Sequence, residues 1–327
     1  MIPLHEIEAA RDRITGVARG SGGGHPPGMG VIRTPLIRLH EPDAPAEIWL
    51  KLENLQPINS FKLRGALNAI LSASPEARAA GLVTASAGNM AQGVAWAARS
   101  FGLPATIAVP EHAPQAKIDA ITRLGGKVIK IPYDDWWRAI VTSRVDGVAG
   151  LFIHPVQDPL VIAGNATIGL EILQDLPDAD TVVVPYGGGG LTTGIASAVK
   201  ALAPGTRIVT AEPATAAAFA AARAAGQPVD VEYQPSWVDG SGSRRVLDSM
   251  WPLVSKLADD AIAVPVDDVA AAVRLLAERV RVIAEGAGAL ALAAALSGAA
   301  GTGKVVCVVS GGNINLDTLA GILSPQS

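Results

Sequence analysis

Thr181-Val182-Val183-Val184-Pro185-Tyr186-Gly187-Gly188-Gly189-Gly190-Leu191 joins an apolar run to four consecutive glycines and then to a helical stretch, Leu191 to Ala201. A strand with one wet face alternates apolar and polar residues. This one does not, so it reads as an interior strand covered on both faces. Similar runs recur at Ile48 to Leu52, Leu82 to Thr84, Ala105 to Val109, Lys127 to Ile131, Leu151 to Ile153, Ile208 to Thr210 and Lys304 to Val309. Helical stretches alternate with them: Leu4 to Ala18, Phe61 to Ser72, Asn89 to Phe101, Gln115 to Leu124, Ile162 to Gln174, Thr215 to Ala225 and Val269 to Ala284. The alanine clusters Ala216 to Ala225 and Ala289 to Ala300 also read as helix, since alanine is the best helix former. Strand alternating with helix predicts an α/β fold with largely parallel sheets covered by helices.

Consecutive glycines are entropically costly, so a turn containing four of them has a purpose beyond reversing the chain. Placed after a strand and before a helix, Gly187 to Gly190 offer backbone N–H groups and a helix N-terminus to an anion, which reads as phosphate binding. The dinucleotide fingerprint is not met, because its third glycine falls on Thr192 or Thr193. Gly298-Ala299-Ala300-Gly301-Thr302-Gly303-Lys304 matches most of a P-loop. However, Val305 replaces the magnesium-binding hydroxyl, and the helix precedes the motif instead of following it. That segment reads as a surface turn.

Of the 327 residues, 49% are hydrophobic and 17% charged, which excludes a disordered chain. A net charge of -4 argues against a nucleic-acid partner. The lone cysteine, Cys307, lies in an apolar run and reads as a small core residue. The start, Met1 to Glu6, shows no signal-peptide pattern. The uncharged stretches Ala79 to Ala98, Thr181 to Val199 and Gly286 to Gly303 are too polar or glycine-rich for membrane spans. A soluble, cytoplasmic protein is expected, with no internal repeat. Gly20 to Gly28 reads as a flexible loop in which His25 is solvated, and Gly226 to Arg245 as an irregular stretch of the kind that shapes sites.

Three further segments carry chemistry. Ser60-Phe61-Lys62-Leu63-Arg64-Gly65-Ala66 sets a lysine at a helix start, Ser86-Ala87-Gly88-Asn89 with Gln92-Gly93 opens another helix, and Ser310-Gly311-Gly312-Asn313 follows the Cys307 strand. With Gly187 to Leu191, in this order and spacing, they resemble the fold-type II pyridoxal-phosphate enzymes, nearest the serine/threonine dehydratase and serine racemase group. The resemblance runs from about Thr34-Pro35-Leu36 to the SGGN segment. It implies a two-lobed, tryptophan synthase β-like fold, with residues 1–50 and 157–327 as the large cofactor-binding lobe and 51–156 as the small one. It also implies roles by position. Lys62 would bond to pyridoxal 5'-phosphate and move protons at Cα, with Phe61 beside the ring. Gly187, Gly188, Gly189 and Gly190 would bind the phosphate, and Leu191 would add its N–H. Asn89 would contact the ring hydroxyl, Ser310 the ring nitrogen, and Glu285 would flank that side. Ser86, Ala87, Gly88, Asn89 and Gln92 would hold the substrate carboxylate.

The implied reaction is β-elimination from a β-hydroxy amino acid such as L-threonine or L-serine, giving a 2-keto acid and ammonia. The partner is a small amino acid, without nucleic acid or membrane, and a homodimer or higher homo-oligomer is expected. A racemase, a 3-hydroxyaspartate dehydratase and a pyridoxal-phosphate binding protein without turnover are the alternatives. A synthase is disfavoured, because Lys62 is followed by Leu63-Arg64-Gly65-Ala66 and not by the Asp-Arg of that branch. Racemases of the group have a serine where Ala87 stands and an asparagine where Val156 stands, and Met90 replaces a common histidine. Ala87 cannot carry a proton, so elimination should dominate racemisation. Glu212 begins a segment that binds a divalent cation in some relatives, but Ala218 replaces the second carboxylate, so no metal is expected. Arg244 and Arg245 replace small apolar residues after Asp239-Gly240. A guanidinium facing the substrate would read a second carboxylate and so contribute to substrate choice. No regulatory region follows Ser327, so end-product control is not expected.

Overall fold

Apolar, β-branched runs form the interior strands of two sheets in a computed structural model, which describes residues 1–18 and 30–324. The expected loop at Gly20 to Gly28, with His25, lies outside the described residues. The strands are β1 (Leu36–Arg38), β2 (Glu47–Leu52), β3 (Leu82–Ala85), β4 (Ala105–Pro110), β5 (Lys127–Ile131), β6 (Leu151–Phe152), β7 (Thr181–Pro185), β8 (Arg207–Pro213), β9 (Asp260–Val264) and β10 (Lys304–Val309). The helices are α1 (Leu4–Ala18), α2 (Lys62–Ser72), α3 (Pro75–Ala79), α4 (Asn89–Ser100), α5 (Gln115–Arg123), α6 (Tyr133–Thr142), α7 (Pro159–Asp175), α8 (Gly190–Leu202), α9 (Ala218–Ala225), α10 (Trp251–Leu257), α11 (Val266–Leu275), α12 (Gly286–Leu296) and α13 (Leu316–Leu323).

The chain divides into two units. The first comprises Met1–Leu4, Arg33–Leu55 and the described residues from Ala166 onward. Its sheet has the order β1-β2-β10-β7-β8-β9, parallel throughout except for the β1–β2 pair. Cys307 lies in the middle of that sheet, fully buried, and burial pushes its thiol up. The second unit comprises the described residues of His5–Ile32 together with Gln56–Asn165. Its sheet is all parallel, in the order β5-β4-β3-β6. Helix α1 sends Ile14 into this unit's core beside Leu63, Leu67 and Val94.

The α/β fold with largely parallel sheets is the expected one. Elements outside the expected set are the strands β1 and β9 and the helices α3, α6, α10 and α13. Strands β1 and β9 lie at the two ends of the larger sheet, where one side is unpaired and a long apolar run is not required. The helix expected over 269–284 ends early. Its last part, Leu276–Val280, is a π-turn, and Arg281 adopts a left-handed backbone with φ 62°. The chain then runs extended, so that the Glu285 N–H donates to Gly311 O at 3.0 Å before α12 begins. The segment 298–304 is the expected turn between α12 and β10, with Gly298, Gly301 and Gly303 all at positive φ.

A buried ion pair anchors the first unit. Lys51 Nζ donates to Glu171 Oε2 at 2.5 Å and to Thr34 O at 2.7 Å, and Thr34 Oγ1 donates to Glu53 Oε1 at 2.5 Å. Removing one member strands a buried charge. Lys51→Met should therefore cost about 3–5 kcal/mol by urea unfolding, and adding Glu171→Leu should recover most of that loss.

Candidate active site

In the second unit, a tight turn sets Lys62 at the head of α2. Asn59 takes the left-handed conformation (φ 56°), its N–H donating to Gln56 O at 2.6 Å, and Ser60 Oγ accepts the Lys62 N–H at 3.4 Å. Behind Lys62 the helix can approach α7 closely. A Cβ on Gly65 would lie 2.7 Å from Val161 Cγ1, and one on Gly164 would lie 2.5 Å from Arg64 O. This explains the glycine of the KLRGA segment. The Lys62 ammonium has no carboxylate partner among the described residues. Nζ donates to Pro155 O at 2.6 Å and stands 5.2 Å from the Phe61 ring centroid. Desolvation lowers its pKa to about 8.

Helix α4 packs on α2, as a Cβ on Gly93 would be 3.6 Å from Lys62 O. It starts at Gly88 without a side-chain cap, which leaves the Met90 and Ala91 N–H groups of its first turn for a ligand. Ser86 Oγ accepts the Gly88 N–H at 3.2 Å, so its own O–H proton remains available to donate. Ser86, Ala87, Gly88, Asn89 and Gln92 are partly accessible, whereas Met90 is buried in the core as a packing group.

In the first unit, β7 runs into Gly187–Gly190. Gly189 is the N-cap of α8 at φ 90°, a conformation that favours glycine, and no side chain caps the helix. The first helical bond is from Thr193 N–H to Gly189 O at 2.8 Å, leaving the N–H groups of Gly190, Leu191 and Thr192 for an anion. Thr192 Oγ1 and Thr193 Oγ1, in the same turn, are buried without a hydrogen-bond partner. The loop after Val238 adjoins this turn: a Cβ on Gly187 would be 3.5 Å from Gly240 O, and one on Gly240 would be 3.7 Å from Glu285 Oε1. Gly242 N–H and Ser241 Oγ both donate to Tyr186 O. Ser310 Oγ contacts Ala287 O at 3.4 Å. Within this unit, then, the glycine turn, Gly240, Glu285 and Ser310 form one connected constellation.

Other sequence candidates have local partners. Glu212 accepts the N–H groups of Phe219 at 3.0 Å and Ala220 at 2.9 Å, so its carboxylate caps α9; burial raises it to about 7. Arg244 lies over the Tyr233 ring at 5.7 Å, and Arg245 pairs with Asp248 at 3.4 Å and Asp230 at 3.7 Å. Both arginines are exposed. The residues that sequence reasoning did not single out are Pro155, which supplies the carbonyl to Lys62, and Tyr186 and Ser241, which stitch the loop to the glycine turn. A visible signal existed for the first, since His154-Pro155-Val156-Gln157-Asp158 stands directly before a helix that opens on Pro159.

A capless glycine turn with spare N–H groups suits a phosphate ester, and a desolvated lysine without a counter-charge suits bonding to an aldehyde. The donor set therefore fits pyridoxal phosphate. Residues 28–311 match the family model for pyridoxal-phosphate dependent enzymes. An L-threonine ammonia-lyase of Thermotoga maritima is 43% identical over 281 residues, covering 85% of this chain and 70% of that protein. Maize serine racemase superposes with a TM-score of 0.86 at 33% identity, covering 97% of this chain and 95% of the other. The processed form of threonine deaminase isoform 2 from Solanum lycopersicum superposes with a TM-score of 0.84 at 32% identity, covering 98% of this chain and 86% of the other. On the motifs, the fold and these likenesses together, the chain belongs to the pyridoxal-phosphate dependent enzyme family, in the fold-type II group with the threonine ammonia-lyases and serine racemases.

Proposed function

We propose that this pyridoxal-phosphate enzyme converts a β-hydroxy amino acid such as L-threonine or L-serine to a 2-keto acid and ammonia. The observation that carries the reading is Lys62, a desolvated amine held by one carbonyl. At a pKa of about 8 it is partly neutral near physiological pH, so Nζ can take the Cα proton. Bound pyridoxal phosphate supplies the electron sink that makes this proton acidic. The α4 N-terminus and the Ser86 hydroxyl hold the substrate carboxylate, with Asn89 and Gln92 beside them. The N–H groups of Gly187 to Leu191 bind the cofactor phosphate. Ser310 would meet the ring nitrogen with a neutral hydroxyl, and Glu285 would flank it. The reading includes a homodimer or higher homo-oligomer in the cytoplasm.

Purified protein supplied with cofactor should release keto acid from L-threonine or L-serine, and Lys62→Ala should abolish release. Before the cofactor is added, amine-selective labelling of Lys62, read by peptide mass spectrometry, should be half-maximal near pH 8. Half-labelling near the ordinary lysine value, or turnover by Lys62→Ala, would remove this assignment.

The methyl of Ala87 has no proton to deliver to the second face of Cα. Chiral analysis of leftover L-serine should therefore show little D-serine beside abundant keto acid, with Ala87→Ser raising the D fraction. Rapid D-serine formation by the unaltered enzyme would favour the racemase reading instead.

The partners of Arg244 and Arg245 on their own exposed segment favour a substrate with one carboxylate over 3-hydroxyaspartate. Arg244→Ala and Arg245→Ala should leave the kcat/KM ratio between hydroxyaspartate and threonine within about threefold, under 1 kcal/mol. A larger change would return the arginines to substrate choice.

A further inference from the structure

His154 stands one residue before the carbonyl that holds Lys62. Its ring is buried, with 3% of the residue exposed. Nδ1 lies 3.0 Å from two backbone donors, the N–H groups of Val156 and Gln157. Nε2 lies 3.0 Å from Ile140 O, near the end of α6. These contacts settle the protonation. A nitrogen facing two N–H groups must accept, and a nitrogen facing a carbonyl must donate, so the ring is neutral with its proton on Nε2. A charged imidazole would set a third N–H against the two at Nδ1. Burial acts in the same direction and lowers the pKa to about 4.

The consequence falls on the backbone. By accepting from Val156 and Gln157, Nδ1 closes the chain into a turn after Pro155. Asp158 Oδ1 fixes the far end of that turn by accepting the Leu160 N–H at 2.8 Å, at the start of α7. The Pro155 carbonyl shares its peptide plane with the Val156 N–H, and that donor is held by His154 Nδ1 at 3.0 Å. The carbonyl that meets Lys62 Nζ at 2.6 Å is therefore oriented by what holds the residues after it.

We propose that His154 is a positioning residue for Lys62: a permanently neutral Nε2–H imidazole that folds the 154–157 turn and aims the Pro155 carbonyl at Lys62 Nζ. The proposal rests on Lys62 being the reactive amine. The carbonyl accepts from Nζ whether the amine is charged or neutral, and so holds it in one place through proton transfer. Since the ring does not change charge, it can do this without adding a titration of its own near neutral pH.

Two substitutions separate the ring's two nitrogens. His154→Asn offers an oxygen near the Nδ1 position and keeps the turn's acceptor. His154→Gln reaches toward Ile140 O and gives that acceptor up. With cofactor supplied, His154→Gln should lower kcat about 10- to 100-fold with KM little changed, as expected when a reacting group is misplaced by an ångström or less. His154→Asn should recover most of the loss. Without cofactor, the pH of half-labelling at Lys62 should move in His154→Gln and stay near 8 in His154→Asn. Equal losses in both variants, or Lys62 labelling that neither variant moves, would make His154 a merely structural residue. The labelling comparison needs no turnover, so it separates failure of this proposal from failure of the functional reading, which Lys62→Ala tests. Should the variants not fold, nitrogen-15 spectra of the unaltered enzyme decide: Nε2 should carry the proton and Nδ1 none from pH 5 to 8. A proton on Nδ1, or titration near the ordinary histidine value, would overturn the proposal.

Discussion

The proposed chemistry depends on one constraint, the desolvation of an amine, Lys62, that has no carboxylate partner among the described residues. Two lysines, Lys51 buried and Lys62 half-buried, have opposite surroundings. Lys51 is paired with Glu171 at 2.5 Å, and losing either partner would leave a buried charge uncompensated. Lys62 is given a carbonyl and an aromatic face, neither of which stabilises the cation as a carboxylate would. Its proton is therefore held loosely, and the amine is available to react. Placing a carboxylate beside it would lift the pKa toward that of a surface lysine and remove the property that the reaction requires.

The other demand of the proposed reading, an anion site for the phosphate, rests on backbone. Helix α8 begins at a left-handed glycine with no side-chain cap, so the donors a serine or aspartate would have used remain for a ligand. Small residues around this turn let main chains approach one another. A Cβ on Gly288 would stand 2.1 Å from Gly311 O, which keeps the SGGN segment and the start of α12 in contact. The early end of the preceding helix, at a left-handed Arg281, brings Glu285 to the same place. A π-turn before that break fits the tendency of such turns to occur beside functional sites.

Charged residues that the sequence singles out also have partners on nearby segments. Glu212 accepts the Phe219 and Ala220 N–H groups, one on each oxygen, at the start of α9. Arg245 joins two aspartates on the surface and Arg244 covers a tyrosine ring, contacts that a solvated segment makes without any substrate.

The sequence by itself determined the alternation of strand and helix, the parallel sheets and the segments that carry chemistry. Each is a local property: Val182 to Val184 are apolar because both faces are covered, and four glycines mark a turn wherever they occur. Edge strands β1 and β9 and the short helices α3, α10 and α13 lacked such signatures, because an edge needs little burial and a short helix little periodicity. Only the tertiary structure decided which core receives α1 and which lysine has no carboxylate partner among the described residues. It alone also showed which backbone groups face the two nitrogens of His154. The physical reason is common to all three. Desolvation, ion pairing and tautomer choice depend on groups brought close by folding: Glu171 lies 120 residues from Lys51, Pro155 lies 93 residues from Lys62, and Ile140 lies 14 residues from His154. A pattern read along the chain carries no trace of them.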